Sequence, residues 1–157
     1  MNKKIDLQEV KAFIDAQGPG TKVYIGADSE RFRIQGVWHA DYTLAVVVHI
    51  DGNKGCKVFG EVQRERDYDQ QKAKPRMRLM TEVMKVAQLY LELQDVLGDF
   101  PIEVHIDINP NIKYGSSCVA QEAVGYIRAL CNVIPMQKPQ AWAGSYVADR
   151  LKTLIAM

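Results

Sequence analysis

The sequence has little of what marks a secreted, membrane-bound or zinc-ribbon protein. Its three cysteines, Cys56, Cys118 and Cys131, are odd in number, far apart and without a C-x-x-C pair. That pattern argues against both a disulfide framework and a cysteine-built zinc site, and fits a reducing compartment. No run approaches the roughly 18 apolar residues of a membrane span. The amino terminus, Met-Asn-Lys-Lys-Ile-Asp-Leu, lacks the apolar stretch of a signal peptide. The expectation is a soluble, cytoplasmic protein with no membrane partner. Excess charge is missing too: 20 Lys and Arg against 19 Asp and Glu leave +1, so any affinity for a polyanion must come from a local basic patch. There is no internal repeat.

What is present suits one ordinary globular unit. With 157 residues, 47% of them hydrophobic and 25% charged, the chain has enough apolar surface for a real core. A single domain over residues 1–157 is expected, its core at about 22–155 and residues 1–20 forming a flanking helix. Leu7, Val10, Phe13 and Ile14 supply the helical spacing there, and Gly18-Pro19-Gly20 ends it. Residues 23–27 read as a doubly covered strand running into Asp28, and residues 37–50 and 56–63 as a hairpin around a turn at 51–55. A helix follows at about 75–96, with Met77, Met80, Met84, Ala87 and Leu91 along its core face and Gly98 beyond its end. Residues 102–108 form a strand, 116–130 a helix, 132–136 a short strand and 145–155 a terminal helix, with 64–74 and 109–115 irregular.

Three antiparallel strands followed by strand–helix units differ from a Rossmann-type order, which alternates from the start. The order is that of an α/β ribonuclease H-like fold. It implies a mixed five-stranded sheet, order 3-2-1-4-5, flanked by helices, with an extra helix at the amino terminus.

Chemistry concentrates on acids. In Val104-His105-Ile106-Asp107-Ile108-Asn109 the period of two puts His105, Asp107 and Asn109 on one side of an otherwise apolar strand. If that strand runs parallel to the first, about 4.8 Å away, Asp28 and Asp107 converge. Two ionised acids so close repel unless a cation or a proton lies between them. Magnesium or manganese takes oxygen ligands and completes its shell with water and phosphate. Two such ions about 3.5–4 Å apart can serve an in-line phosphodiester displacement.

The stretches Ile25-Gly26-Ala27-Asp28-Ser29, His105-Ile106-Asp107, Lys138-Pro139 and Ala148-Asp149-Arg150 together resemble the YkuK group of ribonuclease H-like proteins, over about residues 22–151. The resemblance implies acids on the first strand, the first long helix, the fourth strand and the last helix that hold the metals. Carried over, these are Asp28, an acid near Arg78, Asp107 and Asp149. The run from Ser145 to Leu151 resembles the family's last-helix pattern. At Arg78 the sequence departs from it, since an arginine stands where ribonuclease H has its glutamate. Glu82, one turn later on nearly the same face, can supply that oxygen or pair with Arg78.

Bland readings stand beside these. Asp28 can be a turn or cap residue, and Asp149 a solvated helix residue. His105 is a candidate metal ligand, a proton carrier or a hydrogen-bonded core histidine. His39 and His49 read as structural or exposed. Ser116-Ser117 can cap the next helix or present its amino end to a phosphate. Lys72, Lys74, Arg76, Arg78 and Lys138 form either a phosphate-tracking surface or a solvated charged face. The leading expectation is a nuclease or phosphodiesterase acting on RNA, DNA or a hybrid, with Asp28, Asp107, Asp149 and Glu82 around Mg2+ or Mn2+. The alternative is a catalytically inactive ribonuclease H-like protein that binds nucleic acid or serves as a scaffold.

Overall fold

β-branched and aromatic residues recur through the first three strands, and the long antiparallel sheet they build frames the molecule. The chain is seen in a computed structural model that describes residues 3–50, 55–68, 76–111, 113–144 and 146–148. Strand β1 (Lys22–Ile34) pairs with β2 (Val37–His49), which pairs with β3 (Cys56–Arg66). The first strand thus runs seven residues beyond the Ala27 end expected from sequence. The reason is the two-residue turn Gln35-Gly36, whose φ angles of 49° and 80° match the twist of a tight hairpin and hold Ile34 opposite Val37. Of the turn expected at 51–55, residues 51–54 lie outside the described residues.

Strand β4 (Ile102–Val104) lies parallel to β1, giving the order β3-β2-β1-β4. Among the described residues the sheet has four strands rather than the five expected. The segment expected as a fifth strand makes one parallel bridge, His105 to Met136. It is held by Ile106 N–H donating to the Met136 carbonyl at 2.9 Å and Met136 N–H to that of Val104 at 2.8 Å.

Helix α1 (Leu7–Asp15) starts on Asp6, whose carboxylate accepts from the N–H groups of Gln8 and Glu9. It is more than a flank, because Val10 and Ile14 are buried in the main core and Phe13 meets Phe59 edge to face. Helix α2 (Arg76–Leu97) crosses the same side of the sheet. Its buried stripe is Leu79, Val83, Val86, Tyr90 and Leu93, whereas Met77, Met84 and Leu91 are exposed. Of the face expected from sequence, Ala87 is buried and Met80 packs on the core, while the other three turn outward, and the core phase turns Glu82 inward. Helix α3 (Ala120–Cys131) follows a 3-10 turn at Gly115–Val119 and ends on left-handed Asn132. Neither start carries a side-chain cap; the Ser116 hydroxyl instead accepts from Asn109 N–H at 2.9 Å.

The opposite face of the sheet is covered more thinly, by Ala143 and Val147 on Ala45 and Val47. Residues 143–144 and 146–148 are helical, and the rest of the terminal helix expected at 145–155 lies outside the described residues. Among the described residues no helix is long and apolar enough to cross a membrane.

Candidate metal centre

Register alone brings two acids together. The parallel pairing Val23 to Ile102 and Ile25 to Val104, continued three residues past the end of β4, sets Asp107 beside Asp28. Asp28 is not at a strand end, as its sequence context suggested. It sits in mid-β1, at the point where β4 leaves and the sheet loses its parallel neighbour.

The third acid comes from α2. Glu82 is 4% exposed, and its carboxylate accepts a hydrogen bond from the hydroxyl of Ser29, the residue after Asp28. One carboxylate oxygen each of Asp28, Glu82 and Asp107 lies within 4.8 Å of the others. Of the two readings of Glu82, the structure brings its carboxylate to Asp28 and Asp107, one turn after Arg78. The Arg78 charge bears on Glu82 and favours its ionised form, but it does not replace the Glu82 oxygen in the cluster.

Crowding leaves its mark on protonation. Burial, the hydrogen bond with Asp107 and the Asp107 charge push Asp28 up to about 7, against Ser29 N–H (2.9 Å from Oδ1) and Lys138. Glu82 lies well above the usual carboxylate range, chiefly through burial, with Asp107 and Asp28 adding to it and Ser29 and Arg78 opposing. An Asp–Asp hydrogen bond requires a proton on one partner. Lys138 Nζ pairs with Asp107. Burial pulls the lysine down, yet its bond to Asp107 and the charges of Asp107, Asp28 and Glu82 raise it overall.

His105 does not join the acids. It is 2% exposed, against the rings of Tyr24 and Trp142. Its Nδ1 accepts from the N–H groups of Trp142 (3.1 Å) and Ala143 (3.2 Å), so Nε2 carries the proton and donates to Glu103 Oε1 at 3.2 Å. Both ring nitrogens are occupied, and burial lowers the pKa against the pull of Glu103. Of its three readings, the hydrogen-bonded core histidine describes this geometry: it caps the last helical segment. Alternation persists through Val104, Ile106 and Ile108, all in the core, and it is the packing against Tyr24 and Trp142 and the bonds to Trp142 and Ala143 that keep the His105 ring from the acids.

That cap holds the segment hard against β1. A Cβ added to Gly144 would lie 2.4 Å from the Ala27 carbonyl oxygen, and one on Gly26 would lie 2.8 Å from Gly144 N. Only paired glycines allow two backbones this close. Sequence reading had no signal for the contact, since the glycines are 118 positions apart in the chain. Asp149, the expected fourth acid, lies outside the described residues, as do Lys72 and Lys74 of the expected basic stretch. Arg76 pairs with Glu122 on the surface.

All donors in the cluster are carboxylate oxygens, drawn from β1, α2 and the segment after β4, and an all-oxygen set suits a hard divalent cation. A family model described as Ribonuclease H-like matches residues 6–153, and the chain belongs to that family. No curated protein matches it. Among solved structures, a crystal structure of NurA is similar at 14% identity over 66% of this chain and 25% of that one, with a TM-score of 0.28. Another, NurA bound to dAMP and manganese, is 15% identical over 65% and 24%, with a TM-score of 0.26. The chain spans about a quarter of the length of those NurA chains.

Proposed function

We propose that the protein is a divalent-metal-dependent nuclease or phosphodiesterase of the cytoplasm. Asp28, Glu82 and Asp107 hold Mg2+ or Mn2+, and Asp149, the residue that follows the last described helical segment in the sequence, completes the site. The observation that carries this reading is Glu82. A carboxyl turned inward beside two other acids is costly to ionise, and a bound cation is the agent that offsets that cost. When bound, the cation supplies the charge that activates water and stabilises the developing charge on a scissile phosphate.

The chain's own residues do the rest. Ser29 fixes Glu82 by its hydroxyl and Asp28 by its N–H, so one residue orients two ligands. His105 and the Gly26–Gly144 contact set the distance of the last helix from β1. Lys138, on Asp107, offers a cation for the phosphate once the acids are otherwise neutralised.

Asp28→Asn should abolish Mg2+- or Mn2+-dependent cleavage of RNA, DNA and hybrid substrates while the circular dichroism spectrum stays native. An unchanged rate contradicts the proposal. A second reading, a metal-free binding or scaffold protein, is favoured by the Lys138–Asp107 pair, in which an ammonium already serves as counter-ion. In that case no divalent cation would alter the melting temperature.

A further inference from the structure

Beyond Asp28 the sheet carries a ladder of half-buried rings and exposed guanidinium groups. The pairing of β1, β2 and β3 is regular, so cross-strand partners share a face. On the Asp28 face the first row is Asp28–Thr43–Val62, the second Glu30–Asp41–Arg64 and the third Phe32–His39–Arg66. Successive rows are about 6.6 Å apart, so the third row begins about 13 Å from the carboxylates.

In the outer two rows the planar groups lie against one another and form a shelf. Phe32 and His39 are stacked, with ring centroids 6.1 Å apart and planes at 25°. Arg64 lies over the Phe32 ring, 4.7 Å from its centroid. It is held there by two bonds to Asp41, Nε to Oδ1 at 2.8 Å and Nη2 to Oδ2 at 3.1 Å. A guanidinium fixed at two points keeps its plane, and the Arg64 side chain is 53% exposed, so its outer face is open. Arg66 stands alongside, over Tyr68.

From this geometry we infer that the Phe32–His39–Arg64 shelf is a stacking platform for the bases of a single-stranded nucleic acid whose backbone runs on to the carboxylate cluster. The argument for single strands is the balance of charge. Arg64 and Arg66 are matched on that face by Glu30 and Asp41, so the shelf lacks the cation run that tracks a duplex backbone. What it offers is planar surface, and unstacked bases are the ligand that uses planes without needing net charge. The inference rests on the metal-dependent reading only for where the strand leads; the shelf binds with or without the cation.

The test uses the full chain in EDTA, where cleavage is off, and fluorescence anisotropy with labelled oligothymidylate and oligouridylate of about twelve nucleotides. At least one should bind, several-fold more tightly than a duplex of equal length and with a shallow salt dependence. Phe32→Leu keeps apolar volume and Arg64→Lys keeps charge, yet each removes a plane. Each should weaken binding about tenfold, whereas Phe32→Trp should retain it. The same variants should keep the wild-type Mn2+-induced rise in melting temperature, which separates failure of the shelf from failure of the metal site. Failure of both single strands to bind, equal binding of duplex, or wild-type affinity in both plane-removing variants overturns the inference.

Discussion

The two halves of β1 are one continuous strand with opposite surroundings. In the half before Asp28, Val23, Ile25 and Ala27 are buried against the main core, and Gly26 lies under the last helical segment. In the half after it, from Ser29 to Ile34, no residue is fully buried, and rings and arginines replace aliphatic side chains. On the far face Arg31 and Arg33 both lie over Trp38. Asp28 stands on the border. The covered half supplies the burial that raises its pKa, and the open half supplies access. The comparison teaches that a low-dielectric carboxylate site can sit within reach of a polymer when one strand leaves its cover partway along.

The largest expected contrast is in stability. Ile25→Ala should cost about 2–5 kcal/mol in urea denaturation, because the fully buried side chain leaves a cavity. Arg33→Ala should stay within about 0.5 kcal/mol. Equal losses would break the division of the strand. A smaller contrast separates two glycines. Gly144→Ala should cost about 1–3 kcal/mol by forcing the helix off Ala27. Gly36→Ala, at φ 80° with open space around it, should cost about 1 kcal/mol from backbone strain alone.

Protonation sharpens the border itself. A carboxyl whose folded pKa is raised takes up protons on folding, so its stabilisation is complete below the unfolded value and is lost as pH rises through the folded one. For Asp28 that window runs from about 4 to about 7, and Glu82 acts in the same direction. In EDTA the melting temperature should fall across this range, and Asp28→Asn should flatten the fall. A curve that rises with pH would show the acids to be paired rather than crowded. The smallest effect concerns Lys138, which is partly exposed. Lys138→Met should tighten Mn2+ binding a few-fold in calorimetry, since a half-exposed pair contributes about 1 kcal/mol or less.

Much of this was legible in the sequence, for identifiable reasons. The order of elements and the acid at the end of an apolar run located Asp28 and Asp107, because burial of a charge leaves a mark in the hydrophobic pattern. The far half of β1 was not legible: Glu30, Arg31 and Arg33 do not look like a strand, and two-residue turn chemistry at Gln35-Gly36 overrides them. Met77 and Met84 were expected on the core face of α2 but are exposed, because the core phase runs through Leu79, Val83, Val86, Tyr90 and Leu93; Glu82 was legible only with two readings open, a ligand or a partner of Arg78. The role of His105 depended on bonds to the backbone of Trp142 and Ala143, which alternation cannot register.

The account rests on Asp28, Glu82 and Asp107 acting as one cation site, and a thermal-shift titration with Mn2+ tests this most directly. At a hundredfold excess over Kd the wild-type chain should gain about 2.7 kcal/mol, a rise of about 5–10 °C, and Glu82→Gln and Asp28→Asn should each lose most of it. A flat wild-type titration, or a rise that survives both substitutions, contradicts the claim.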